Sequence, residues 1–458
     1  MRNHATRSFV IAFLICFAQL AGHAQVEERN VRAGMYFLAG DALQGRGSGT
    51  VFERIAAEYV GSQFMQFGLE PAGDLGFDGK PTFVQTVTIK RYAFDGQPSL
   101  KAGADAFGHG KEMVVLRANA GSISGPLQKL AAGAKPNKGA AVLVPAPKDG
   151  AVNLNQYLQS FIAAGASIVM IEETEQHRAA WQNLASRRLG FTGNAANPSA
   201  LVVLSKDAAA GIAKLADGAA IEFAGKTAET TQQTWNAAGK LTGSDPALGS
   251  EVILLSSHLD HLGVRENAPG DDKIFNGADD DASGTVAVIE LARTFASGKR
   301  PKRTVYFVCF GSEEAGGLGS NHFVNNLPFP KEKLIANLQW EMIGRPDAKV
   351  KPDELWLTGF ERSNLGPELA KRGAKLVQDP HPGQNFFQRS DNYTLARQGV
   401  VAHTVSSFGL HTDYHRASDE LKTIDFGYMT RSVNSMVEPI RWLVNSDFKP
   451  SWNEGMRP

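Results

Sequence analysis

Val252-Ile253-Leu254-Leu255-Ser256-Ser257-His258-Leu259-Asp260-His261 is an apolar run that ends on two histidines and an aspartate. It follows the turn-rich connector Thr242-Gly243-Ser244-Asp245-Pro246 and reads as a buried strand whose polar residues fall at its carboxyl end. A short way on, Asn276-Gly277-Ala278-Asp279-Asp280-Asp281-Ala282-Ser283-Gly284 puts three acidic residues in a row before small residues that open a helix. Adjacent aspartates repel one another unless a cation sits among them.

The same grammar continues downstream. Strand Val252–Leu255 leads to helix Thr285–Ala296, and strand Val305–Phe310 to Gly311-Ser312-Glu313-Glu314 and a helix near Gly319–Asn325. Strand Leu334–Leu338 leads into Trp340-Glu341-Met342, and strand Leu355–Leu357 to helix Asn364–Lys371. Strand Val400–Val405 ends near Ser406, and a last helix, Tyr428 to Val444, aligns Met429, Val433, Met436, Ile440 and Leu443 on one stripe. Such alternation predicts an α/β fold, a mostly parallel central sheet flanked by helices, with ligands bound beyond the carboxyl ends of the strands.

Residues 98–223 have a different texture, rich in Gly and Ala. Short strands are predicted at Ala140–Val144, Ser167–Ile171 and Leu201–Leu204, with a helix from Leu154 to Ala164. Few titratable residues there group as ligands. The expected organisation is a catalytic domain over 25–97 and 236–458, interrupted by a separate module over 98–235.

Two zinc ions about 3.5–4 Å apart need terminal ligands, a bridging carboxylate and a water for attack. His258 fits a terminal ligand, Asp280 a bridge with Asp279 and Asp281 facing elsewhere, and Glu314 a ligand of the other ion. Asp260, two residues beyond His258 on an extended chain, is expected to orient its ring. Glu313 is expected to face the attacking water as general base, and Glu341 and His415 complete the shell. His322, His381, His403 and His411 receive no role.

Among 458 residues, 47 Lys+Arg balance 47 Asp+Glu, so no electrostatic footprint for nucleic acid or an anionic membrane is present. Arg2 and Arg7 precede the apolar Phe9–Ala18, and Ala21-Gly22-His23-Ala24 follows, the layout of a secretory signal cleaved after Ala24. The apolar run is short for a bilayer span, so export to the periplasm or medium without stable membrane insertion is expected. Cys16 leaves with the signal, and Cys309, inside an apolar strand, reads as a buried structural thiol.

At these motifs the chain resembles the co-catalytic zinc aminopeptidases typified by secreted bacterial leucyl aminopeptidases. The likeness rests on His258-Leu259-Asp260, Gly277–Gly284, Gly311-Ser312-Glu313-Glu314 with Gly319-Ser320, and Tyr414-His415-Arg416-Ala417-Ser418-Asp419. Asp41-Ala42-Leu43-Gln44-Gly45-Arg46-Gly47 resembles the opening of the family's catalytic domain. The resemblance implies a zinc exopeptidase fold, two zinc ions per chain, and peptide substrates. It implies His258, Asp280, Glu314, Glu341 and His415 as ligands, Asp280 bridging, Glu313 as base, and Tyr414 as a group that polarises the scissile carbonyl in some members. The middle module looks like the small β-rich protease-associated domain often inserted in this family. One departure is Glu341, where the family's usual residue is aspartate, close to where the peptide end docks. The expected activity is removal of N-terminal residues from peptides. A carboxypeptidase or dipeptidase on the same scaffold, a glutaminyl cyclase and a non-catalytic binding protein are the alternatives; residue preference and oligomeric state are not legible.

Overall fold

The computed structural model describes residues 25–147, 154–187, 189–192 and 197–458. The expected signal segment, 1–24, lies outside them. The chain forms two compact units, one of residues up to Val87 with Thr234–Pro458, the other Thr88–Gln233. Among the described residues no helix is long and apolar enough to cross a membrane.

The first unit is built on the start of strand β1 (Val84–Phe94), the end of strand β2 (Thr227–Leu241), and strands β3 (Val252–His258), β4 (Thr304–Phe310), β5 (Leu334–Trp340), β6 (Leu355–Leu357), β7 (Leu376–Gln378) and β8 (Val401–Ser406). They lie in the order β7-β6-β8-β5-β3-β4-β2-β1. The pairs β3/β4, β3/β5, β5/β8 and β6/β7 are parallel, whereas β2/β4 and β6/β8 are antiparallel. The sheet is thus mostly parallel at its centre, as the strand-helix alternation predicts.

Every residue of β3 and β4 is buried, because helices cover both faces of the sheet. On one face Ile253, Leu255, Val305, Phe307 and Leu338 share a core with helices α1 (Glu28–Leu38), α2 (Val51–Gln66), α3 (Gly284–Ala296) and α7 (Phe426–Asn445). On the other, Leu254, Tyr306, Val308 and Phe310 pack with Phe323 of α4 (Leu318–Asn325) and Leu395 of α6 (Asn392–Arg397). Helix α5 (Leu365–Lys371) joins the first core through Leu365 and Leu369. Each fully buried Leu, Ile or Phe contributes about 1.5–3 kcal/mol relative to exposure.

This arrangement fixes the site. In register, His258 lies opposite Phe310 at the ends of β3 and β4, Glu341 directly follows β5, and Ser406 ends β8. The carboxyl ends therefore present His258, Glu313, Glu314 and Glu341 side by side.

The second unit contains an eight-stranded sheet ordered Asp105–Gly108, Ser99–Ala102, Ala220–Ala224, Ser122–Lys129, Ala141–Val144, Ile168–Glu172, Ala200–Leu204 and Met113–Ala118. Helices Leu154–Ala163, Glu175–Ser186 and Lys206–Lys214 accompany it. It has its own core, with Leu100, Met113, Ile168, Val202, Ile221 and Phe223 at its centre.

Candidate metal centre

The triple aspartate sorts its three carboxylates by direction. Asp279 Oδ1 accepts the Gly344 amide at 2.7 Å, and its Oδ2 lies 2.9 Å from His411 Nε2. Asp281 Oδ1 accepts the amides of Gly284 at 3.0 Å and Met342 at 3.1 Å, while its Oδ2 accepts the His258 amide at 3.2 Å. Asp419 takes the main-chain amides of Asp279 and Asp280 at 3.1 Å. Only the Asp280 side chain is left to face the strand ends. Gly277 turns the loop at φ +56, where a Cβ would sit 2.1 Å from the Asp280 carbonyl and 2.5 Å from the His261 ring. Glycine is therefore required there.

Asp280 divides its two oxygens. Oδ1 is 3.2 Å from His258 Nε2, and Oδ2 is 3.2 Å from His415 Nε2. Glu341 groups with His258 and Asp280, and Glu314 groups with Asp280 and His261. Glu314 Oε1 also lies 3.1 Å from His415 Nε2. The five residues expected as ligands thus converge in two sets that share Asp280.

His258 Nε2, both His261 nitrogens, Glu314 Oε1 and Glu341 Oε2 are buried and make no hydrogen bond. A buried polar atom without a partner costs roughly 1–3 kcal/mol. Five gathered at one point form the pattern that cations relieve, and imidazole nitrogen with carboxylate oxygen is a donor set that suits zinc. Electrostatics agree. Burial, reinforced by neighbouring carboxylates and opposed by His258, holds Glu313 well above the usual carboxylate range and brings Glu341 to about 7. Carboxylates so crowded gain by taking cations in place of protons.

Second-layer contacts hold the ligands. The His258 ring is 3.2 Å from the Asp260 carbonyl oxygen through Nδ1, whereas the Asp260 carboxylate is 3.7 Å away. The ring thus faces both the main chain and the carboxylate of Asp260, the main-chain oxygen being the nearer. Strand β3 stops at His258, so the period-two geometry of an extended chain no longer applies at Asp260. Its carboxylate also accepts the amides of Glu313 at 2.9 Å and Glu314 at 3.3 Å, and the Ser48 hydroxyl at 2.5 Å.

Arg46, in the stretch that resembles a domain opening, is fully buried. Its guanidinium donates to the carbonyls of Leu38, of Leu259 at 2.8 Å, of Asn276 at 2.7 Å and of Gly277 at 3.0 Å. One side chain thereby ties the histidine loop to the aspartate loop, a role that spacing alone does not disclose. His411 joins a network with Asp279 and Arg345, which reaches Asp413 at 2.7 Å. His381 and His403 are buried away from the cluster, on Asp347 and Ser363 respectively.

Tyr414 stacks on the His415 ring, 3.9 Å between centroids. Its hydroxyl accepts from Arg389 at 3.4 Å, and burial raises its pKa. Beside Glu341 a pocket opens between Trp356, Phe386, Phe408 and Tyr414, with Arg389 among its lining residues. Among the described residues Arg389 makes no ion pair; its guanidinium lies 4.9 Å over the Phe386 ring.

The model of peptidase family M28 matches residues 236–438. Leupeptin-inactivating enzyme 1 of Streptomyces exfoliatus is 34% identical over 234 residues, 46% of this chain and 50% of that protein. An aminopeptidase of Pseudomonas aeruginosa is 33% identical over 118 residues, 25% of this chain and 19% of that protein. The chain spans about half the length, or less, of these curated relatives. Among solved structures, the aminopeptidase from Aneurinibacillus sp. strain AM-1 aligns with a TM-score of 0.54 at 20% identity, covering 95% of this chain and 97% of that one. A zinc aminopeptidase from Bacillus subtilis gives 0.52 at 18% identity over 92% and 96%. These two likenesses establish the fold.

Proposed function

We propose, from the match of residues 236–438 to the model of peptidase family M28 together with the ligand geometry, that this chain is a two-zinc aminopeptidase. His258, Asp280 and Glu341 would hold one ion, and Asp280, Glu314 and His415 the other. Zinc supplies Lewis-acid polarisation of the scissile carbonyl and acidifies water at neutral pH. The chain's residues do the rest. Glu313, on the loop after β4, takes a proton from the attacking water and returns it to the leaving nitrogen. Asp260 holds the two amides of that loop, which keeps Glu313 beside the ligands. The aromatic pocket beside Glu341 receives the side chain of the N-terminal residue, and its apolar walls exclude water from it. The observation that carries the reading is the division of Asp280's oxygens between His258 and His415.

The unit Thr88–Gln233 we take as a protease-associated insert, and the N-terminal segment as an export signal cleaved after Ala24. The relatives named as aminopeptidases support the substrate class, peptides with a free N-terminus. A second reading, a carboxypeptidase or dipeptidase, draws on Glu341 in place of aspartate and on Arg389, which makes no ion pair among the described residues and whose guanidinium would meet a substrate carboxylate. Mass spectrometry of a peptide library, free or blocked at either end, tests both on the zinc-loaded protein. Stepwise loss from free N-termini alone is expected. Loss from C-termini, or cleavage only of dipeptides, would move the function to the second reading.

A further inference from the structure

His261 lies outside the five-residue ligand set. Its side chain is 0% exposed. Nδ1 is 3.0 Å from Glu314 Oε1 and 3.8 Å from Asp280 Oδ2. At 3.0 Å an N–H pointed at the oxygen would form an ordinary hydrogen bond, yet neither His261 Nδ1 nor Glu314 Oε1 makes one. The two atoms are close but aim past one another. Two buried polar atoms in that relation are costly unless both point at a third partner.

His415 supplies the rest of the geometry. Its Nε2 is 3.1 Å from the same Glu314 oxygen and 3.2 Å from the same Asp280 oxygen. Donor atoms each about 2.0–2.2 Å from one zinc ion lie roughly 3–4 Å from one another, and all four of these separations fall in that range. The His261 and His415 rings stand 5.7 Å apart at 70°, so they approach from different directions. The bare Cα of Gly277 leaves room for the His261 ring, since a Cβ there would be 2.5 Å from it.

We infer that His261 Nδ1 is a direct ligand of the ion held by Asp280, Glu314 and His415. That ion has two imidazoles and two carboxylates, whereas its neighbour has one imidazole and two carboxylates. The inference rests on the two-zinc reading above.

The test is a crystal structure of the zinc-loaded full chain, with anomalous data on both sides of the zinc edge. X-ray absorption counts the imidazoles in solution. The expected result is two ions, with His261 Nδ1 about 2.0–2.2 Å from the one shared by Glu314 and His415. In solution three imidazoles should be spread over two ions, falling to two in His261→Ala with both ions retained. Two ions with Nδ1 beyond about 3 Å, and only two imidazoles, would overturn the inference and leave the two-zinc reading standing. Fewer than two ions in the wild type would overturn both.

Discussion

The Asp260 carboxylate accepts the main-chain amide of Glu313 at 2.9 Å. The aspartate two residues beyond the β3 histidine thereby fixes the loop after β4, and with it the direction of the proposed base. The adjacent Glu314 amide reaches the same carboxylate, so one side chain positions both glutamates.

Asp260→Ala should therefore lower activity without emptying the site. Partners that orient metal ligands are typically worth about 10–100-fold. Steady-state kinetics beside zinc content checks this. Unchanged kcat/KM would mean that the loop holds its place without Asp260.

Glu313→Gln separates chemistry from binding. The amide cannot take the proton, so kcat should fall by about 10²–10⁴-fold while zinc content stays at the wild-type level. Kinetics and metal analysis of one preparation read both. Wild-type kcat would remove Glu313 from the mechanism.

How much of this the sequence discloses depends on what each residue meets. Strands β3, β4 and β5 are legible because helices cover both faces, which forces unbroken apolar runs. His258, Glu314 and Glu341 are legible because such strands deliver the next polar residue to the carboxyl edge. Strand β2 is not. Its first half, Thr227-Ala228-Glu229-Thr230-Thr231-Gln232-Gln233, is largely exposed and carries no apolar pattern. Strand β1 alternates for only part of its length. His261 stands in the same motif as His258, but its direction depends on how the chain turns after β3, and spacing does not report that. The pocket escapes for another reason: Trp356, Phe386 and the pair Phe408 and Tyr414 come from three separate segments.

That pocket predicts a preference. Its walls are aromatic and Arg389 is a fixed cation among them, so an aminopeptidase built this way should favour Leu or Phe over Lys at the substrate N-terminus. Each methylene seated in such a pocket is worth about 1–3 kcal/mol. Amide substrates differing only in that residue check this, and a preference for Lys would count against the pocket assignment.

His403 gives a pH dependence away from the metal centre. Burial, opposed by the Thr358 carbonyl and aided by Arg362, holds its imidazole down at about 4, against 6.5 ordinarily. The folded chain thus binds its proton later than the unfolded one as pH falls. Its contribution is fully present above about pH 6.5 and is lost from there toward pH 4, by about 3 kcal/mol in all. Urea unfolding of wild type and His403→Gln at several pH values should show the steeper loss in the wild type. Parallel curves would refute it.

Cys309 is fully buried, and burial pushes its thiol up to about 12. The native protein should resist iodoacetamide, and the urea-unfolded protein should take one equivalent there. Alkylation of Cys309 in the native state, read by mass spectrometry, would contradict its packing.

The most direct test of the two-ion centre is zinc content and peptide hydrolysis, measured together, for wild type and Asp280→Ala. Among the described residues Asp280 is the one whose oxygens face both ligand sets. The account predicts two zinc ions and activity in the wild type, and loss of both zinc and hydrolysis in the folded variant. Full hydrolysis by Asp280→Ala, or an active wild type that holds no zinc, would contradict it.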